Sequence, residues 1–160
     1  MKRLWIALGV VALDQSSKWL AARYLAPAGA VPLIPGMLGL RYAENTGMAF
    51  SMLSGQGWLL GVLSGALILL AWLFLRRYTL GKVAGTAVML MLGGAVGNML
   101  DRFFTGYVVD MFEILLFRFA IFNVADAALT VGAVILGITI LWMPEEWREK
   151  KHGDTTGEAV

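Results

Sequence analysis

Three stretches of the chain carry no charged side chain at all: Trp58 to Leu75, Val83 to Leu100 and Ala127 to Met143. Each approaches the roughly 20 residues that a helix needs to cross about 30 Å of hydrocarbon. In lipid the backbone finds no water, so its N–H and C=O groups must bond within their own segment, which predicts helices here. The rest of the composition agrees. Of the 160 residues, 59% are hydrophobic and 15% charged, whereas about a quarter are charged in a typical soluble domain. A soluble globule is excluded, and the length suits a single membrane domain over residues 1–160.

A fourth span is expected at the N-terminus. Lys2 and Arg3 precede an apolar run from Leu4 to Leu13, and Asp14 and Lys18 follow it. A cleavable signal peptide starts in the same way, but helix-compatible sequence continues through Trp19 to Tyr24. The expected spans are therefore about 4–24, 58–75, 83–100 and 122–143. Basic residues set the orientation. Eight of the 13 lie beside the first span (Lys2, Arg3), in the turn between spans two and three (Arg76, Arg77, Lys82) and in the tail (Arg148, Lys150, Lys151). Both termini and the tail 144–160 are then expected in the cytoplasm, the residues from His152 onward as a disordered end. Segments 25–57 and 101–121 fall on the outer side. In the first, alternation around Leu38–Tyr42 suggests short strands and Asn45-Thr46-Gly47 a turn. In the second, Met111 to Phe119 suits an interfacial helix or ribbon.

Several chemistries are excluded early. The chain has no Cys, hence no thiol nucleophile and no thiolate metal site. Its one His, His152, lies in the polar tail, which argues against a Ser-His-Asp triad or a His-rich metal centre. A net charge of +2 makes no basic patch for nucleic acid. No metal or other cofactor is expected. Gly57-Gly61-Gly65 and Gly93-Gly97 have the four-residue spacing of close helix packing. Gly93-Gly94-Ala95-Val96-Gly97 lacks the Lys-Ser/Thr ending of a phosphate loop.

The acids are more informative, because an ionisable group at a membrane boundary is costly unless paired, hydrated or used. Asp14 has Lys18 one helical turn later, Glu44 has Arg41 nearby, Asp101 is followed by Arg102, and Glu113 has Arg118 within reach. Asp110 and Asp126 have no basic neighbour in sequence. Asn98-x-x-Asp101 ends span three and Asn123-x-x-Asp126 begins span four. Residues three apart share a helix face, and antiparallel spans bring these two ends to one depth. Capping competes as an account of Asn123. Two carboxylates at hydrogen-bond distance cannot both ionise at neutral pH, and such a dyad activates water without His, Cys or metal. A Ser-Lys pair, Lys18 with Ser16, Ser17, Ser51 or Ser54, is the competing nucleophile.

In order along the chain stand Asp14-Gln15-Ser16-Ser17-Lys18, Asn45-Thr46-Gly47-Met48-Ala49-Phe50, Gly93 to Arg102, Val108-Val109-Asp110 and Phe122-Asn123-Val124-Ala125-Asp126. With these blocks the chain resembles the lipoprotein signal peptidase (signal peptidase II) family of bacterial membrane aspartic proteases over nearly its whole length. The resemblance implies an all-α membrane protein with four transmembrane helices, a small extracytoplasmic β-cradle and an interfacial helix. It implies an endopeptidase of the bacterial inner membrane that cuts prolipoproteins before a diacylglyceryl-modified cysteine. It maps the catalytic pair onto Asp110 and Asp126, and substrate-binding or supporting roles onto Asp14, Lys18, Asn45, Gly47, Asn98, Arg102 and Asn123. The expected partners are the lipid bilayer and lipidated precursor proteins, and the chain is expected to act as a monomer. Met111-Phe112 after Asp110, and Ala120-Ile121 before the Phe-Asn block, depart from the family pattern. The rival classes are a proton- or ion-coupled transporter that uses the same acids as relays, and an assembly protein driven by the glycine motifs.

Overall fold

The computed structural model describes residues 3–47, 55–117 and 119–149. Among the described residues five α-helices and five strands follow one another, and three of the helices are long and apolar enough to cross a membrane. These are α3 (Gly57–Leu75), α4 (Lys82–Phe104) and α5 (Val124–Trp142). Large apolar side chains cover their outsides: Leu67 on α3 is 67% exposed and Leu141 on α5 is 69% exposed. So wide an apolar surface is stable only against lipid.

The first helix, α1 (Leu4–Leu20), has 17 residues and buries Ala7, Asp14 and Lys18 in the bundle. It continues through a π-turn, Ala21–Leu25, and one turn of α2 (Ala26–Ala28). Its regular length and its charges set it apart from the other three, so the fourth crossing expected at 4–24 is not established by length and composition.

α4 is the central helix, and its glycines explain why. A Cβ on Gly93 would lie 2.7 Å from Val10 Cβ of α1, and one on Gly94 would lie 2.9 Å from Leu129 Cγ of α5. On the third side, a Cβ on Gly61 of α3 would press on the Phe103 ring at 3.3 Å. In lipid no hydrophobic drive pulls helices together, so small residues that let backbones approach are what join them. The glycine motifs serve packing, as their spacing implied. α4 runs four residues beyond the expected end at Leu100, and stops where Thr105 and Gly106 (φ 83) turn the chain away.

At one end of the bundle lies a three-stranded antiparallel sheet in the order β1–β2–β4, made of β1 (Val31–Ile34), β2 (Leu38–Asn45) and β4 (Val108–Ile114). Ala21 and Leu25 pack against Val109 and Met111, which seats the sheet on the end of the first helix. The described residues among 111–119 therefore form no helix. Residues 112–114 pair with β2, the Met111 N–H donates to the Phe122 carbonyl and 115–117 form a turn, so the backbone groups find partners in the strands beside them. Among the described residues of both outer segments no interfacial helix is present.

The opposite end carries an unexpected second ribbon, β3 (Tyr78–Leu80) against β5 (Trp147–Glu149). Glu146 Oε2 accepts from the backbone N–H groups of Val83 (2.9 Å) and Ala84 (3.0 Å), covering the open N-terminus of α4. Arg3 Nη1 donates to the Gly81 carbonyl at 2.9 Å. The start of the segment read as a tail is thus ordered, and the expected disordered end from His152 lies outside the described residues.

Candidate active site

The site forms where the sheet meets the ends of α4 and α5. Asp110 is carried by β4 opposite Ala43, beside a bulge in β2 between Leu40 and Ala43. Such bulges re-aim side chains. Asp126 is carried by the first turn of α5. Asn123, in extended conformation, is the N-cap: its Oδ1 accepts from the Asp126 N–H (2.8 Å), and Asp126 Oδ2 accepts from the Asn123 N–H (3.2 Å). This reciprocal box satisfies two N–H groups that a helix start leaves open. Capping and site assembly are the same event here, since Asn123 Nδ2 still donates to Asp110 Oδ1 at 2.7 Å.

Both carboxylates are thereby held on one residue. Asp110 Oδ2 takes a further donor from Asn45 Nδ2 (3.1 Å), and Asp126 Oδ1 one from Asn98 Nδ2 (2.8 Å). The amides cannot turn round freely. Asn45 Oδ1 accepts from the Gly47 N–H (3.0 Å), and Asn98 Oδ1 accepts from Lys18 Nζ (2.9 Å) and Asn123 Nδ2 (3.2 Å). Each oxygen has a donor that permits only this orientation, so each nitrogen points at an aspartate.

Behind the amides sits a buried ion cluster. Lys18 Nζ lies 2.7 Å from both Asp14 Oδ2 and Asp101 Oδ2. Asp14, completely buried, also accepts from the Ala125 N–H at 2.9 Å, which ties α1 to the start of α5. Gln15 Nε2 donates to Asp101 Oδ1 (2.8 Å) and Asp14 Oδ2 (3.2 Å). A buried charge is tolerated only when paired and hydrogen-bonded, as these are. Arg102 spans the site's other side, with Nη1 toward the Asn98 carbonyl and Nη2 toward the Gly47 carbonyl, both 3.3 Å. Its Nε is buried without a hydrogen-bond partner among the described residues.

Burial pushes the Asp110 carboxyl up to about 6, with the nearby Asp126 charge as the second cause, against the opposing pull of the Asn45 and Asn123 donors. A carboxyl in this range exchanges its proton close to neutral pH, which is what general acid–base work requires. Among the described residues no group of three or more His, Asp or Glu side chains is arranged to hold a metal.

All nine residues singled out from the sequence lie in this one connected network: Asp14, Lys18, Asn45, Gly47, Asn98, Arg102, Asp110, Asn123 and Asp126. Two further members, Gln15 and Asp101, were not singled out as site residues. Two local pairings differ from the sequence expectation. Asp101 pairs with Lys18 and not with its neighbour Arg102. Arg41 pairs with Glu113 at 3.0 Å, while Glu44 accepts from the Tyr42 hydroxyl at 2.9 Å. Arg118, the expected partner of Glu113, lies outside the described residues, as do Met48, Ala49 and Phe50 of the second motif and Ser51 and Ser54. Lys18 spends its donors on Asp14, Asp101 and Asn98, and Ser17 Oγ donates to the Asp14 carbonyl (2.8 Å), so no Ser-Lys pair forms among the described serines.

The family model described as signal peptidase (SPase) II matches residues 6–142. A lipoprotein signal peptidase of Geobacillus kaustophilus is 39% identical over 154 residues, covering 93% of this chain and 100% of that protein. One from Streptococcus pyogenes is 37% identical over 156 residues, covering 96% and 99%. A solved bacterial membrane enzyme matches with a TM-score of 0.80 at 28% identity, covering 99% of this chain and 94% of the other. With the family match running from within α1 to the end of α5 and taking in every residue of the aspartate network, this chain belongs to the signal peptidase II family.

Proposed function

We propose that this protein is a membrane aspartic endopeptidase that removes the signal peptide from prolipoproteins, cutting before a diacylglyceryl-modified cysteine. The observation that carries the reading is the mounting of Asp110 and Asp126 on the two ends of one residue, Asn123. Two acids held on one amide residue can divide the roles of base and acid between them, without His, Cys or metal. One carboxylate takes a proton from water as the water attacks the scissile carbonyl, and the other donates a hydrogen bond to the carbonyl oxygen. The proton then passes to the leaving amine, with no covalent intermediate. In this reading Asn45, Asn123 and Arg102 donate to the peptide backbone or to lipid ester oxygens. The substrate's acyl chains lie against the apolar outside of the bundle, each buried CH₂ contributing about 0.8 kcal/mol.

In the topology that accompanies this reading, residues 4–24 form the fourth span. Both termini face the cytoplasm, and the sheet and dyad lie at the outer face of the bacterial inner membrane, with the chain acting as a monomer. The basic residues Arg3, Arg76, Arg77, Lys82 and Arg148 at the ribbon end support that orientation. A transporter needs a relay of polar groups through the bundle. Here α3 carries no charge, and the charges of α4 and α5 stand only at helix ends.

The test is incubation of the purified enzyme with a diacylglyceryl-modified precursor. Cleavage by wild type and none by Asp110→Asn or Asp126→Asn is expected while both variants insert and fold. Full activity in either variant ends the dyad reading.

A further inference from the structure

The role of Lys18 follows from the direction of a single amide, and it rests on the dyad reading above. Its ammonium has only donors, and it spends them on Asp14 Oδ2 (2.7 Å), Asp101 Oδ2 (2.7 Å) and Asn98 Oδ1 (2.9 Å). The first two contacts balance charge, but the third fixes orientation. An asparagine amide facing a carboxylic acid works either way round: its nitrogen donates to an ionised oxygen, or its oxygen accepts from a protonated one. With Lys18 on its Oδ1, Asn98 has only the first choice, and its Nδ2 lies 2.8 Å from Asp126 Oδ1. The same oxygen accepts from Asn123 Nδ2 (3.2 Å), which helps hold that second amide on Asp110.

We infer that Lys18 is a positioning residue for the dyad: by occupying Asn98 Oδ1 it locks the amide so that Asp126 meets a donor and never an acceptor. The charged groups around it are Asp14 on its own helix, Asp101 and Arg102 on α4, Asp126 on α5 and Asp110 on β4. A lysine that only neutralised Asp14 and Asp101 would be replaceable by any change that preserves the charge of the cluster. A lysine that orients Asn98 is not.

That difference defines the experiment. Lys18→Met alone strands two buried carboxylates and invites misfolding. Lys18→Met combined with Asp101→Asn leaves the cluster at the same net charge; it removes the shorter of the two donors on Asn98 Oδ1, leaving Asn123 Nδ2, and leaves Asp14 the Ala125 N–H and Gln15 Nε2 as donors. Cleavage of a diacylglyceryl-modified precursor peptide is measured across pH for wild type, this double variant, Lys18→Arg and Asp126→Asn, with thermal stability recorded for each. In the double variant kcat is expected to fall about 100-fold, as for a misplaced catalytic group, with KM and melting temperature near wild type. The acid limb of its kcat–pH profile is expected about one pH unit higher, since a lost donor makes the ionised dyad harder to form. Lys18→Arg, which keeps a donor and a charge, is expected to recover most of the activity. A double variant with wild-type kcat and pH profile, or one whose loss is matched by a fall in melting temperature, overturns the positioning role. Activity in Asp126→Asn instead overturns the dyad itself, so the two failures are told apart.

Discussion

Replacing Asp110 by Asn should change how stability depends on pH in a direction that the fold dictates. The carboxyl titrates at 3.8 in a solvated chain and at about 6 in the fold, mainly through burial, and it is only 3% exposed. The folded protein therefore holds this proton more tightly than the unfolded chain does. Below pH 3.8 the group is neutral in both states and contributes nothing. As pH rises toward 6 the unfolded chain releases the proton first, and stability falls. Above that range the cost is complete, at roughly 3 kcal/mol with about 1.4 kcal/mol per pH unit. The Asp110→Asn variant escapes that cost, but its amide offers one acceptor to two donors, Asn45 Nδ2 and Asn123 Nδ2. The stranded donor costs about 1–3 kcal/mol at every pH. The variant should thus start less stable than wild type at about pH 4 and gain on it by roughly 2–3 kcal/mol by about pH 8, while cleaving nothing at either pH. Unfolding in mixed micelles followed by circular dichroism across that range measures the difference directly. A difference that stays flat, or that widens against the variant as pH rises, refutes the placement of a buried acid beside a second charge.

Other substitutions probe the parts around the dyad. Asp14→Asn leaves Lys18 with Asp101 as its carboxylate partner and weakens the tie at Asp14, and should destabilise by about 1–3 kcal/mol while affecting folding or binding more than the chemical step. A folded variant that binds fully and does not cleave would contradict this. Gly97→Ala places a Cβ 2.6 Å from Asp14 Oδ2, and should cost about 1–3 kcal/mol of overpacking, read as a lower melting temperature. Asn123→Ala removes the helix cap, worth about 0.5–2 kcal/mol, and a donor on Asp110; activity should be lost well below the temperature at which the variant unfolds. Glu146→Ala uncovers the start of α4 far from the site, and should lower stability by about 1 kcal/mol with kcat unchanged at low temperature.

The membrane helices were legible because lipid enforces a simple rule: uncharged runs of sufficient length must be helical. The convergence of Asp110 and Asp126 on Asn123 was legible for the complementary reason, that both lack basic neighbours in a part of the chain where charge is expensive. The Asn-x-x-Asp spacing also pointed to the amides that face them, and Asn123 is at once helix cap and donor to Asp110. Sequence proximity failed where burial rearranges partners. Asp101 stands next to Arg102, yet its counter-charge comes from Lys18 on another helix, and Gln15 joins the same cluster with no signal beyond its place in a motif. Residues 111–119 were ambiguous because a short apolar segment with two charges has no decisive period; only the neighbouring β2 makes part of it a strand. The ribbon of β3 and β5 was invisible since neither three-residue piece forms alone.

That ribbon has a bearing on the chemistry at the opposite pole. α4 and α5 lie side by side as stiff rods about 30 Å long, one end bearing Asn98 and Asp126, the other pinned by Glu146, Trp147 and the Arg3 clasp. A small swing at the pinned pole is magnified along such rods into a sideways slip between Asn98 and Asp126. A chain trimmed back to Pro144 would keep every member of the aspartate network, and still lose the bracing that keeps those groups in line.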